Sequence, residues 1–137
     1  GRDRFEMVKL ATSDDDRFEA SDIEISRSGP TYAIDTVREW KRLNPSDELY
    51  WIVGSDALSG IPSWHEWEAF VSEVTVVAVN RIGQTASVPF DVVSVEMPEV
   101  RISATELRDR FTNKLDTKYL VPQKVSEYIS DQGLYQA

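Results

Sequence analysis

The chain has 137 residues and a mass of 15.6 kDa, with 24 acidic residues against 15 basic ones and no cysteine. Its net charge of -9 argues against a general electrostatic role on nucleic acid or on anionic lipid. The lack of cysteine excludes disulfides, thiolate metal sites and cysteine nucleophiles, and it fits a reducing cytoplasm. We expect a single domain over residues 1–137, cytoplasmic, with neither nucleic acid nor membrane as a partner.

The first third of the chain predicts a helix, a short strand and a second helix. Residues 3–13 have helical spacing, whereas FEASDIEI, residues 18–25, alternates apolar and polar side chains like a strand. TYAIDTVREWKRL predicts a helix that begins at Thr31 and ends before Pro45. The predicted inner face of this helix consists of Ile34, Val37, Trp40 and Leu43.

The rest of the chain predicts three strands and further helices. The run from Leu49 to Val53 is continuously apolar, which is typical of a parallel strand covered on both faces. IPSWHEWEAFVSE predicts a loop and a helix, VTVVAVN and DVVSVEM predict strands, and SATELRDRF and PQKVSEYISDQ predict helices, the last ending at Gly133. Strands that alternate with helices indicate an α/β fold with an open parallel sheet.

Ligands of such sheets bind beyond the carboxyl ends of the strands. That rule points to three places in this chain: Gly54 to Asp56, Asn80 to Gly83, and Ser103 to Thr105. We expect all three to lie at one edge of the sheet.

The stretch RISATELR allows two interpretations that use the same atoms. Ser103 and Glu106 have the spacing of a capping box, in which the serine closes the start of a helix. A helix start also binds phosphate, because its N–H groups are free and its dipole end is positive. Arg108 follows just over one turn later, within reach of such a ligand. The two interpretations are compatible, since a capping serine can still donate its hydroxyl.

Two side chains at strand ends allow both a ligand-binding and a structural interpretation. Asp56 follows a predicted strand, where it would accept hydrogen bonds from a ribose diol or form an Asx turn or N-cap. Arg81 would contact a phosphate or pair with a carboxylate.

Aromatic residues supply the other candidates. Trp64 precedes a predicted helix, where its indole is free to stack on a planar ligand, whereas Trp67 is most simply a core residue. In GPTYAIDT, either Tyr32 packs into the core or the backbone of the turn grips a polar ring. His65 is the only histidine; we interpret it as a surface residue, and it cannot form a histidine metal cluster.

In order and spacing, several segments resemble the bacterial nicotinate-nucleotide adenylyltransferases, which belong to the nucleotidyltransferase superfamily. The resemblance runs through nearly the whole chain and rests on RFEMVKLA, RSGPTYAIDT, WIVGSD, PSWHEW, VNRIG, RISATELR and the closing VP..V..YI...GLY. It implies a Rossmann-like sheet with helices on both faces. It also implies transfer of the adenylyl group of ATP to nicotinate mononucleotide, giving deamido-NAD and pyrophosphate in NAD biosynthesis, with Mg²⁺ carried by the ATP phosphates.

The resemblance assigns roles residue by residue. Three residues match the helix start that holds the ATP phosphates, two match contacts to a nucleotide ribose, and Arg81 is a further candidate for ATP. The mononucleotide would meet one stacking aromatic ring and the backbone of two residues that recognise the nicotinate carboxylate. Ser103, Thr105 and Arg108 match the helix start that holds the phosphates, and Gly54 and Asp56 match the ribose contacts. Trp64 matches the stacking ring, and Thr31 and Tyr32 match the residues whose backbone recognises the carboxylate.

The chain departs from the family pattern in three ways. Ala104 replaces a second serine, and Ala33 replaces a common threonine. The family's first strand, its Gly-Gly-Thr-Phe-Asp-Pro-type turn and its His-X-Gly-His motif have no counterpart in these residues. We therefore expect the later part of a longer enzyme, unable to catalyse alone, and we leave the catalytic residues unassigned. A phosphopantetheine adenylyltransferase and a non-catalytic nucleotide-binding module remain alternatives, and a homo-oligomer is left open.

Overall fold

The computed structural model describes residues 1–81, 87–98 and 100–136, without the side chains of Asn80 and Arg81. The predicted alternation of helices and strands is confirmed from Tyr50 onwards. In chain order, the elements are α1 (Arg2–Thr12), α2 (Ala33–Leu43), β1 (Tyr50–Gly54), α3 (Ser55–Leu58), a 3-10 turn (Ile61–Ser63), α4 (Trp67–Glu73), β2 (Thr75–Arg81), β3 (Val93–Met97), α5 (Ala104–Thr112) and α6 (Gln123–Asp131).

The three strands form one parallel sheet in the order β1-β2-β3. Tyr50 pairs with Thr75 and Gly54 with Val79, and Val79 pairs in turn with Val95 of β3. Parallel neighbours need a crossover connection, which α3 and α4 provide between β1 and β2. The prediction of an open parallel sheet is therefore confirmed.

The chain divides into two compact units. One comprises Gly1–Ser26 with Val100–Ala137, and the other comprises Arg27–Glu99 and contains the whole sheet. The interpretation of residues 1–137 as a single domain stays a prediction.

The core of the Arg27–Glu99 unit lies against one face of the sheet. Phe70 is fully buried, and its ring meets that of Trp51 edge-on at 5.2 Å between centroids. Burial of one such side chain contributes about 1.5–3 kcal/mol. The buried cluster consists of Ile34, Val37, Val53, Leu58, Ile61, Phe70, Val76 and Ala78.

The expectation that β1 is covered on both faces is wrong. Successive side chains of a strand point to opposite faces, and only the face that carries Val53 meets the core. Tyr50 and Ile52, on the other face, are 59% and 68% exposed. A continuously apolar run therefore does not show by itself that a strand is covered on both sides.

The helix predicted from Thr31 is confirmed as α2. It starts later and buries fewer side chains than predicted. It begins at Ala33 rather than Thr31, and it buries Ile34 and Val37. Leu43, predicted on the inner face, is 56% exposed because it is the last residue of the helix and lies outside the buried cluster.

The strand predicted at residues 18–25 is absent, and turns take its place. The backbone N–H groups of Ile25 and Ser26 both donate to the carbonyl of Asp22, at 2.8 and 3.0 Å, which closes a turn in the middle of the alternating pattern. Phe18 is 60% exposed and Ile25 50% exposed, so the apolar side chains of the pattern do not form one buried face. An alternating segment forms a strand only where a neighbouring strand accepts its backbone hydrogen bonds.

In the other unit, α1 packs against α6. Tyr128 donates a hydrogen bond to Asp3 at 3.0 Å, and Lys124 pairs with Asp14. Burial and the bond to Asp3 raise the pKa of Tyr128, whereas Lys124 lowers the pKa of Asp14. Helix α6 ends as predicted: Gly133 has φ +61, and the N–H groups of Gly133 and Leu134 bond to the carbonyls of Ser130 and Ile129 in a Schellman motif.

Candidate nucleotide-binding site

Gly54 and Asp56 lie where β1 passes into the short helix α3. Gly54 is the N-cap of α3 with φ -76 and ψ 162, a conformation open to any residue, and a Cβ added there meets no atom within 4 Å. Asp56 is exposed in the first turn, so the alternative in which it serves as the N-cap is wrong. Neither the local backbone nor packing requires this glycine, which is consistent with the close approach of a ligand.

The turn before α2 is held by Arg27 and Gly29. Arg27 donates to the hydroxyl of Thr36 at 3.3 Å and to the carboxylate of Glu39 at 2.7 Å, while Gly29 takes φ +93. Thr31 and Tyr32 follow, both exposed, and Tyr32 is the N-cap of α2 without a side-chain hydrogen bond. The first N–H groups of α2 thus lack a side-chain cap and present the positive end of the helix dipole.

Tyr32 does not pack into the core, as one alternative proposed, but lies against His65. The two ring centroids are 4.3 Å apart, with 33° between the planes. Sequence reasoning missed this contact, because the two residues are far apart in the chain and His65 was interpreted only as a surface residue. Glu66, which follows, binds Arg38 of α2 at 2.7 Å. The hydrogen bond between them lowers the pKa of Glu66 and raises the pKa of Arg38.

Trp64 lies between the 3-10 turn and α4, as predicted, but its indole also contacts the core. Its ring meets Trp51 edge-on at 6.4 Å and lies tilted to Phe70 at 5.4 Å. Trp67 packs against the buried cluster and faces Phe90 at 6.0 Å, which confirms its assignment to the core. Trp64 is partly buried, and its stacking role stays a prediction.

In the Gly1–Ser26 and Val100–Ala137 unit, helix α5 confirms the capping role of Ser103, and phosphate binding by RISATELR stays a prediction. The Ser103 hydroxyl accepts a hydrogen bond from the N–H of Glu106 at 3.1 Å, so the serine is a true N-cap. The carboxylate of Glu106 accepts from Arg110 at 3.3 Å. Arg108 turns back and donates to the hydroxyl of Thr105 at 3.2 Å. The helix start therefore collects hydroxyl groups, N–H groups and a guanidinium, all donors that suit phosphate oxygens.

The remaining candidates fall partly outside the described residues. Arg81 is the last residue of β2, and its side chain lies outside the described part. Residues 82 and 83 of the predicted Asn80–Gly83 place lie outside it as well. Within the described ranges, no group of three or more histidine, cysteine, aspartate or glutamate side chains is arranged to hold a metal ion. No helix described here has the length and apolar character that crossing a membrane requires.

The structure thus brings Tyr32 and the Trp64 segment together within the sheet-containing unit. It gathers Ser103, Thr105 and Arg108 at one helix start in the other unit. That the three places lie at one edge of the sheet stays a prediction.

Comparison with known proteins agrees with the α/β fold and with the resemblance to the adenylyltransferases. The model of the cytidylyltransferase-like family matches residues 2–110. A protein of Thermus thermophilus named probable nicotinate-nucleotide adenylyltransferase is 44% identical over 133 residues, which are 96% of this chain and 72% of the relative. A Geobacillus thermodenitrificans protein of the same name is 39% identical over 135 residues, which are 98% of this chain but only 62% of the relative.

A solved structure shows the same fold at lower identity. It is the Plasmodium falciparum nicotinic acid mononucleotide adenylyltransferase complexed with NaAD, with a TM-score of 0.75 and 23% identity. The match covers 98% of this chain and 74% of that chain.

Proposed function

Because the chain belongs to the cytidylyltransferase-like family, we propose that it takes part in the transfer of the adenylyl group of ATP to nicotinate mononucleotide. The products are deamido-NAD and pyrophosphate, and the pathway is NAD biosynthesis. The names of the Thermus and Geobacillus relatives support this activity. The acidic net charge and the absence of cysteine fit a cytoplasmic enzyme of small molecules.

The observation that carries the acceptor assignment is the start of α2. Its N–H groups have no side-chain cap, and the rings of Tyr32 and His65 lie beside them. A planar ring that bears a carboxylate suits this arrangement, since the ring packs on aromatic surface and the anion meets the positive end of the helix. Thr31 and Tyr32 would supply backbone groups to the nicotinate carboxylate, and Trp64 would supply a stacking surface.

For ATP, we propose two groups of contacts. Ser103, Thr105 and Arg108 bind phosphate oxygens at the start of α5, which their hydrogen bonds at that helix start support. Gly54 and Asp56 contact a ribose at the end of β1, and Arg81 is a further candidate at the end of β2.

The proposed chemistry is in-line attack by the mononucleotide phosphate on the α-phosphorus of ATP. Such transfer depends on positioning and on charge stabilisation rather than on a protein nucleophile. Mg²⁺ enters as part of the ATP substrate, carried by its phosphates. The residues named here bind and orient the two substrates, and none of them is assigned a catalytic role.

The test assays the full-length protein that carries this sequence with three different acceptors. Pyrophosphate release is measured with Mg²⁺–ATP and with nicotinate mononucleotide, nicotinamide mononucleotide or phosphopantetheine. We expect the highest kcat/KM with nicotinate mononucleotide. A preference for phosphopantetheine would assign the protein to that class of adenylyltransferase, and ATP binding without pyrophosphate release would indicate a binding module.

A further inference from the structure

The residues proposed to meet the mononucleotide belong to two segments that are distant in sequence. Thr31 and Tyr32 precede α2, whereas Trp64 lies between the 3-10 turn and α4. Both segments belong to the Arg27–Glu99 unit. A site built from two segments binds a rigid ring only if their spacing is held constant.

Two contacts join these segments directly. The ring of His65 lies on that of Tyr32 at 4.3 Å, and Arg38 Nη2 is 2.7 Å from Glu66 Oε2. The other carboxylate oxygen of Glu66 is 3.3 Å from Nε2 of His65. Glu66 therefore reaches both the α2 helix and the histidine that stacks on Tyr32.

The backbone of Glu66 is consistent with a position that these contacts hold. Glu66 has φ 48 and ψ 42, in the left-handed region that a side chain with a Cβ rarely adopts. Such a conformation persists where the surroundings determine it, and it is found at sites that hold ligands. The guanidinium of Arg38 is the strong partner of this residue, and it lowers the pKa of the Glu66 carboxyl.

We propose that Arg38 and Glu66 are positioning residues for the mononucleotide acceptor. Their ion pair holds the Trp64–Glu66 segment against α2, so that His65 rests on Tyr32 and the two segments keep the spacing that a pyridine ring requires. Neither residue is assigned a contact with the substrate. This inference rests on the proposed function, because it names what holds the acceptor site in shape.

A purely structural role is the alternative, because Arg38 also joins α2 to α4. It lies 3.7 Å from Glu73, and Lys41 lies 3.6 Å from the same residue. Lys41→Ala is thus the matched control: it removes a cation of α2 that pairs with α4 but leaves the pair of Arg38 and Glu66 intact. Since exposed ion pairs contribute little to stability, we expect Arg38→Ala and Lys41→Ala both to melt close to the wild type.

The first measurement needs no ligand and follows the imidazole resonances of His65, the only histidine of these 137 residues, assigned by their loss in His65→Gln. A ring that lies on a tyrosine has its proton resonances shifted to lower frequency by the ring current. We expect Arg38→Ala and Glu66→Ala to move the imidazole resonances toward free-histidine positions, and Lys41→Ala to leave them unchanged. Unchanged resonances in Arg38→Ala would overturn the proposal.

The second measurement is calorimetric titration of the full-length protein with nicotinate mononucleotide and, separately, with Mg²⁺–ATP. Loss of the ion pair is expected to raise the Kd of the mononucleotide about two- to fivefold, the limit set by an exposed pair, while the Kd of ATP stays near the wild-type value. Equal weakening of both ligands, or of neither, would overturn the positioning role. A wild-type protein that binds ATP but no nicotinate mononucleotide would instead contradict the proposed function.

Discussion

The guanidinium of Arg108 donates a hydrogen bond to the hydroxyl of Thr105 at 3.2 Å, which turns it toward the start of α5. Helix electrostatics alone does not favour this direction, because a cation near the N-terminus meets the positive end of the dipole. Arg110, two residues later, makes the usual arrangement and pairs with Glu106. An anion bound between Arg108 and the helix start would be attracted by both positive groups and would favour the observed direction of the guanidinium.

Arg108→Gln is therefore expected to weaken ATP binding without destabilising the fold. One charge-assisted contact to phosphate contributes about 1.5–3 kcal/mol, so the Kd of ATP should rise by roughly one to two orders of magnitude. Arg110→Gln is the matched control, since it removes a cation of the same helix that already pairs with Glu106. Calorimetric titration with ATP measures both. Equal affinities in the two variants would contradict the assignment of Arg108.

Substitutions of Ser103 separate helix capping from phosphate binding. Ser103→Ala loses the cap to the N–H of Glu106 and should lower the free energy of unfolding by about 1 kcal/mol. Ser103→Asp keeps a good cap but places a negative charge where phosphate is proposed to bind. We expect Ser103→Asp to unfold like the wild type and to bind ATP more weakly than Ser103→Ala does. Chemical denaturation and ATP titration test the pair, with Ser103→Asn as the uncharged control. Unchanged ATP affinity in Ser103→Asp would leave only the capping role.

Gly54→Ala tests whether a ligand approaches the end of β1. The added methyl group meets no protein atom within 4 Å and the backbone conformation suits alanine, so stability should be unchanged or rise by about 0.4–1 kcal/mol. Nucleotide affinity should fall if the ribose lies against this backbone. Gly29→Ala is the contrast, since φ +93 is strained for alanine and should cost about 1–2 kcal/mol. A Gly54→Ala protein with wild-type affinity for ATP would show that no ligand approaches Gly54.

Replacement of Trp64 should affect the two substrates differently. Trp64→Ala is expected to raise the KM of the mononucleotide more than that of ATP, because the stacking surface is lost. Trp64→Ala should also lower the free energy of unfolding, because the Trp64 indole contacts Trp51 and Phe70. Trp64→Phe should retain most of that stability. Trp67→Ala is the control: it loses core packing near Phe90 and should not change one KM selectively. Equal effects of Trp64→Ala on both substrates would count against stacking.

Local patterns predicted most of the helices and strands because each depends on neighbours in sequence. The Ser103 cap was predicted from a spacing of three residues, and Gly133 ends α6 as a left-handed residue should. The strand at residues 18–25 failed for the opposite reason, since its formation depends on a partner strand that no local pattern reveals. The exposure of Ile52 has the same origin, because the strand pattern is silent about what covers each face.

The candidate site shows the same division. Residue types at strand ends and helix starts could be predicted, whereas the contact of Tyr32 with His65 could not, because it depends on how α2 and the Trp64 segment pack. The pair of Arg38 and Glu66 was missed for this reason as well. Charged residues on an exposed helix face predict solvation, and only the fold shows which of them link two segments.

The most direct test of the account follows the α-phosphate of ATP in the full-length protein that carries this sequence. ATP labelled at the α-phosphorus is incubated with Mg²⁺ and nicotinate mononucleotide, and the products are separated and identified by mass. Adenylyl transfer predicts that the label appears in deamido-NAD, with one pyrophosphate released for each dinucleotide formed. Label that remains in ATP, or that appears in AMP or ADP without a dinucleotide, would contradict adenylyl transfer.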